Sequence, residues 1–211
     1  MNKIIYCYDA LCGWCYGFSP VMKKIHQQYQ QDFQFEVISG GMITGERIGP
    51  GGEVAPYIKQ AYKQVENTTG VKFGESFLQV LEEGTAQFTS IPPAIALSIL
   101  KTVKPELAVP FAGALQKMIY FDGKAPDNFD AYADLAEKFS FNRQEFLEKM
   151  QDDEYHQLAE KDFQLTARFG VRGFPMVIAE IDQQYYALAN GYTSLHDMQE
   201  RIEQVITRVN E

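Results

Sequence analysis

The first patterned stretch of the chain, residues 3–8 (KIIYCY), is continuously aliphatic and aromatic, which predicts a strand buried on both faces and ending at Asp9. From Cys12 the period changes. Val21, Ile25 and Tyr29 recur four apart, with lysines and glutamines on the other face, so a helix is expected, bent where Pro20 removes a backbone donor. Residues 33–41 alternate through Phe33, Phe35 and Val37 to a diglycine stop, a second strand. Near the other end, 175–181 and 184–190 read as two strands joined by a short turn at Asp182 and Gln183. Gly191 then breaks the pattern. Ser194 and Asp197 form a capping box for a terminal amphipathic helix carrying Leu195, Met198, Ile202, Val205 and Ile206.

Between these ends, about 53 to 169, the period is helical throughout, enough for six or seven helices. Ser90, followed by prolines in the first turn, is expected to cap one of them, and Asn142 with Glu145 another. The last should end at Gly170 in a left-handed cap. Glycine-rich 39–53 reads as a loop leading into the helical segment. Phe77, Phe88, Phe111, Phe121 and Phe129 are expected in the helical core.

With 211 residues, 45% hydrophobic and 22% charged, the chain can bury a full core. A formal charge of −9 argues against nucleic acid and anionic lipid as partners. The N-terminal residues lack the apolar run of a signal peptide, and no run of eighteen apolar residues occurs, so the sequence reads as cytoplasmic, with no membrane partner. Three cysteines in that compartment do not make a disulfide framework.

Two of them, Cys12 and Cys15, bracket Gly13 and the chain's single tryptophan, Trp14. A thiol at a helix start meets free N–H groups and the positive end of the helix dipole, which stabilise the thiolate that attacks disulfides. By that argument Cys12 is the nucleophile, and Cys15, one turn further in, the resolving thiol. The same spacing serves zinc, but two more ligands would have to come from Cys7, His26, His156 and His196, and no HxxxH pair is present. Cys7, Cys12 and Cys15 also match part of an iron–sulfur pattern that lacks its fourth cysteine. Two merely structural thiols remain a third reading, and Cys7 reads as a small buried hydrophobe. Asp9 reads as a turn acid, with a water-mediated proton relay to Cys15 as the alternative. His26 lies too far along the helix to serve Cys12. Trp14 suits either a rim contact for substrate or packing over the helix.

The second motif is Gly173-Phe174-Pro175 at the start of the third long strand, where an X-Pro bond is a candidate cis peptide. Strand, CxxC at a helix start, strand, helices, GFP, hairpin and helix together resemble the thioredoxin fold. The large helical insertion is similar to that of the DsbA family of thiol–disulfide oxidoreductases, and LCGWCYGFSPVM looks like its cytosolic, FrnE-like branch. This resemblance implies an α/β thioredoxin-like fold with residues 1–52 and 154–211 as core and 53–153 as inserted helical domain. It implies Cys12 as exposed nucleophile, Cys15 as resolver, Pro175 as a cis proline facing them, and Phe174 pairing through its backbone with a bound peptide. Gly13 and Trp14 complete the substrate-binding set. Protein or peptide thiols and disulfides, with glutathione, are the implied partners, and no cofactor or metal is implied. The oligomeric state stays open. With Gly13-Trp14 between the cysteines and no histidine there, strong oxidising power is not expected. Glutathione-dependent isomerases and kappa-class transferases share the fold, but carry serine where Cys12 stands; a DsbA-like adaptor is the non-enzymatic alternative.

Overall fold

The computed structural model describes residues 2–209. In chain order the elements are β1 (Lys3–Tyr8), α1 (Gly13–Tyr29), β2 (Gln34–Ser39), β3 (Gly49–Pro50), α2 (Gly51–Thr69), α3 (Glu75–Glu83), β4 (Gln87–Phe88) and α4 (Ile91–Val103). They continue with α5 (Ala108–Tyr120), α6 (Phe129–Glu137), α7 (Arg143–Met150), α8 (Asp153–Arg168), β5 (Met176–Ile181), β6 (Gln184–Asn190) and α9 (Leu195–Val209). The four long strands form one sheet in the order β2-β1-β5-β6, with β1 and β2 parallel and the remaining neighbours antiparallel. This is a thioredoxin-like α/β fold whose helices α2 to α8 are all inserted between β2 and β5.

The apolar run of β1 has the burial expected of a central strand. Ile4, Tyr6 and Tyr8 face the main core, whereas Ile5 and Cys7 face a smaller cluster with Ile38 and Ile178, against which Leu165 and Phe169 pack. Cys7 lies directly between Ile38 and Met176 on the neighbouring strands. The turn from β5 to β6 places Asp182 and Gln183 at φ +50° and +64°, the primed geometry that follows the twist of a hairpin. In α9, Met198 and Ile202 are fully covered, each contributing roughly 1.5–3 kcal/mol of apolar burial. Its first turn is held by Asp197 N–H donating to Ser194 Oγ at 3.1 Å. Gly170 takes φ +68° after α8, as its place behind the helix predicts.

Three expectations are corrected. The 39–53 segment is not loop throughout: α2 begins at Gly51, and β3 pairs with β4, an element that helical periodicity concealed. Gly51 fits there because a Cβ would lie 2.7 Å from the Phe88 ring. Ser90 occupies the cap position of α4, but its hydroxyl makes no cap bond; Thr89 Oγ1 accepts from Ile91 N–H instead, and Ser90 turns to Asp9. Phe121 is 45% exposed, lying beside the Lys117 ammonium at 4.9 Å, because it follows the last turn of α5 and leaves the buried face. Phe77, Phe88 and Phe111 are buried, and Phe129 packs half-buried on the core.

Among the described residues, no helix is long and apolar enough to cross a membrane.

Candidate active site

The chain leaves β1 at Tyr8, turns through Asp9 to Leu11, and enters α1 with Cys12 as N-cap in extended conformation (φ −92°, ψ 112°). Cys12 N–H donates to Asp9 O at 3.1 Å, closing the turn, and Tyr16 N–H donates to Cys12 O at 3.0 Å, starting the helix. Cys15 sits one turn in and is completely covered, while Cys12 is 7% exposed. The expectation of an exposed Cys12 is therefore corrected. Cys12 lines a cavity of about 480 Å³, to which α2 contributes Tyr57, Ile58, Tyr62 and Val65.

All three cysteines are free thiols. The Cys12 thiol is held below its ordinary value of 9.0, first by a hydrogen bond from the Cys15 thiol and then by the N–H groups of Cys15 and Trp14 at the helix start, with burial opposing them. Burial drives Cys15 well above that value, and its bond to Cys12 adds to the shift. Cys7, on the opposite face of the sheet, is pushed up to about 12, chiefly by burial. Cys7 cannot join the other two around a cluster, because adjacent strand faces point apart. Among the described residues no group of three His, Cys, Asp or Glu could hold a metal ion.

The second motif meets the start of α1. The Phe174–Pro175 peptide bond is cis, and the Phe174 carbonyl accepts from Cys12 Sγ at 3.5 Å. The Phe174 ring is seated against Gly40, where a Cβ would fall 2.2 Å from it, so glycine is what lets the end of β2 pass beneath this ring. Cys12, Gly13, Trp14 and Phe174 all line the cavity, with Pro175 buried behind Phe174. Trp14 is half-buried, packing on the core and lining the cavity. His26 packs edge-on against Phe35.

Sequence reasoning did not find the remaining lining. Arg47 and Arg172 are exposed on the cavity wall, and no aspartate or glutamate lines it among the described residues. Phe73, on the loop between α2 and α3, also lines the cavity and packs edge-on against Tyr16 and Tyr120. Only the flanking of GFP by Arg172 was a signal available in the sequence.

The unequal thiols define an expected result. In the reduced, folded protein iodoacetamide alkylates Cys12 first at neutral pH, at a rate that rises with pH and levels off below the ordinary thiol range, while Cys7 and Cys15 react only after unfolding. Peptide mapping after timed labelling reads this directly; equal labelling of the three in the folded state would contradict it.

The family model described as thioredoxin matches residues 6–199. Among solved structures, the chain is similar to a candidate protein disulfide isomerase from Nitrosomonas europaea (23% identity, TM-score 0.83, 98% of each chain). It is also similar to the cytosolic disulfide reductase DsbM from Pseudomonas aeruginosa (22% identity, TM-score 0.81, 97% of this chain and 98% of that one). A second structure of DsbM, with GSH, matches with 21% identity and a TM-score of 0.79 over 97% of this chain and 99% of that one. Among curated proteins, the ClpXP adapter protein SpxH of Halalkalibacterium halodurans is 21% identical over 175 residues, which are 81% of this chain. The match spans 56% of that relative's length.

Proposed function

The chain belongs to the thioredoxin family, and from that premise we propose that it is a thiol–disulfide oxidoreductase acting through Cys12 and Cys15, working as a reductant in the cytoplasm. The observation that carries this reading is the inequality of the two thiols: Cys12 lines the cavity and ionises more readily than an ordinary thiol, whereas Cys15, one helical turn away, is fully buried and ionises less readily.

The chemistry follows from that inequality. The Cys12 thiolate attacks one sulfur of a substrate disulfide; a Cys12–substrate disulfide forms, the substrate S–S bond breaks, and the second substrate sulfur leaves as thiolate. Cys15 then loses its proton and attacks Cys12 Sγ. The mixed disulfide breaks, the first substrate sulfur leaves, and the Cys12–Cys15 disulfide remains. Two electrons pass to the substrate. In this reading the backbone of Phe174, whose carbonyl lies 3.5 Å from Cys12 Sγ, holds the substrate during the first attack.

The cavity supports a small anionic thiol as one partner. Glutathione carries two carboxylates and one ammonium, and the wall offers two exposed guanidiniums and no carboxylate. DsbM has been solved with GSH, which agrees with that choice. Two glutathiones would return the Cys12–Cys15 disulfide to the dithiol and leave as glutathione disulfide.

The deciding experiment equilibrates the protein with glutathione redox buffers and measures the fraction of dithiol. A potential near about −270 mV, as for reducing thioredoxins, is expected; one near about −120 mV would make it an oxidant. Thiols that never interconvert across the buffer range would sink the assignment altogether.

The likeness to a ClpXP adapter supports a second reading, an adaptor that presents proteins to other machinery. Such a role needs no thiol asymmetry, so partner capture that is identical with both cysteines replaced would favour it.

A further inference from the structure

Tyr6 of β1 is 2% exposed, and its ring packs 5.4 Å from that of Tyr8 and 6.0 Å from that of Phe18 on α1, the helix that carries the cysteines. With all three cysteines as thiols, its hydroxyl has no hydrogen-bond partner among the described residues. A buried O–H without a partner costs stability, and phenylalanine would fill the same space without that cost. The location of the hydroxyl gives it a use. It lies by the fully covered Cys15: after burial, negative charge on Cys15 does most to keep the phenol protonated, charge on Cys12 follows, and a bond to the Cys15 sulfur adds to the effect.

Cys15 needs a donor at one moment only. While Cys12 is a thiolate, the Cys15 thiol donates to it and keeps its proton. Once Cys12 is held in a mixed disulfide that charge is gone, and burial is the chief obstacle to ionising Cys15. The other titratable groups around Cys15 are Tyr8 of β1, Tyr120 of α5 and Asp9 of the turn. Asp9 is 1% exposed, its carboxylate accepts only from the neutral Leu11 N–H, Met42 N–H and Ser90 hydroxyl, and its charge opposes a second anion at Cys15. Tyr8 also carries an unpartnered hydroxyl, but Cys15 reaches it only through charge, and less than Asp9 does.

We propose that Tyr6 is a further catalytic residue, acting in the resolving step: its hydroxyl donates a hydrogen bond to Cys15 Sγ as that sulfur becomes the thiolate that attacks Cys12. The inference rests on the exchange reaction proposed above. In that step the Cys15–Cys12 bond forms, the bond from Cys12 to the substrate sulfur breaks, and the substrate sulfur leaves with the electron pair. Over the step one proton passes from Cys15 to the departing sulfur, while Tyr6 keeps its own. A neutral donor that waits unpaired in the dithiol stabilises only the state in which Cys15 carries charge.

The test compares Tyr6→Phe with Tyr8→Phe, using methyl methanethiosulfonate as the probe. The reagent places a methylthio group on Cys12 with loss of methanesulfinate, and attack by Cys15 then expels methanethiol; acid quenching and mass spectrometry time both events. Tyr6→Phe is expected to slow the expulsion about tenfold, the lower end of what a bond to a charged group contributes. Opening of the Cys12–Cys15 disulfide by glutathione, which releases Cys15 as thiolate, slows by the same factor. The balance between dithiol and disulfide holds, since Cys15 carries no charge at either end. Alkylation of Cys12 by iodoacetamide also keeps its rate, and Tyr8→Phe changes none of these. Removing an unpaired hydroxyl takes nothing from the fold, so Tyr6→Phe unfolds at the same or a higher urea concentration than the unaltered protein. Unslowed expulsion in Tyr6→Phe, equal slowing in Tyr8→Phe, or a Tyr6→Phe protein that is destabilised or does not fold would each overturn the proposal. An unaltered protein that expels methanethiol but reduces neither insulin nor glutathione disulfide counts against the proposed function and not against Tyr6.

Discussion

Replacing Cys12 with serine removes disulfide exchange, with a fall on the order of a thousandfold or more in the rate at which insulin or glutathione mixed disulfides are reduced. A serine hydroxyl at the same helix start stays protonated at neutral pH, so the groups that favour the Cys12 thiolate have no anion to stabilise. Cys15→Ser breaks a different step. Cys12 still attacks, but nothing resolves the product, and mixed disulfides with substrate accumulate on Cys12, visible as a mass increase that reductant reverses. The reciprocal pattern, with trapping on Cys15 in the Cys12→Ser protein, would reverse the two roles. Cys7→Ser leaves exchange unchanged, since Cys7 faces the opposite side of the sheet.

Lys101→Met carries the largest expected cost in stability. Lys101 Nζ on α4 donates to Val37 O at 2.8 Å and to both oxygens of Asp162 on α8 at 2.9 and 2.8 Å, and Asp162 Oδ2 also accepts from Ser39 N–H at 3.0 Å. Thr166 completes the junction by donating to Ser39 O at 3.1 Å. This network pins α4 and α8 to the end of β2, directly before Gly40 and Gly41 of the cavity wall. Removing one partner of a buried pair costs roughly 3–5 kcal/mol. With the Lys101 and Asp162 side chains 22% and 12% exposed, the lower end of that range, about 3 kcal/mol, is expected here.

The pH dependence has a definite sign. Burial already raises Asp162 above the ordinary carboxyl value even with Lys101 present, and loss of the ammonium raises it further. The deficit of the variant is therefore larger at neutral than at acid pH, because only the ionised carboxylate misses the ammonium. It shrinks as pH falls and Asp162 is protonated in both proteins. Urea unfolding at neutral and mildly acid pH measures this; a deficit that grew on acidification would refute it.

Much of the fold was legible because burial imposes a period. A central strand covered on both faces must be apolar without interruption, as 3–8 is, and a helix resting on one face must repeat as 195–206 does. The 87–88 strand was not legible, since two residues are too few to show a period. Ser90 was misleading for a related reason. A serine before a helix has two chemically equivalent uses for its hydroxyl, a cap or a distant acceptor, and only the arrival of Asp9, 81 positions earlier, selects between them.

By itself, the sequence determined the local chemistry: a helix start that presents Cys12 to free N–H groups, a second thiol one turn behind, and a proline at a strand start. Those follow from neighbours within a few residues, where backbone geometry leaves little choice. Only the tertiary structure decided that Cys12 lines a cavity, that Phe174 stands against it across 162 positions of chain, and that Asp9 is buried without a cation. Burial and electrostatic coupling depend on which distant segments close over a site, and no local pattern of residues records that closure.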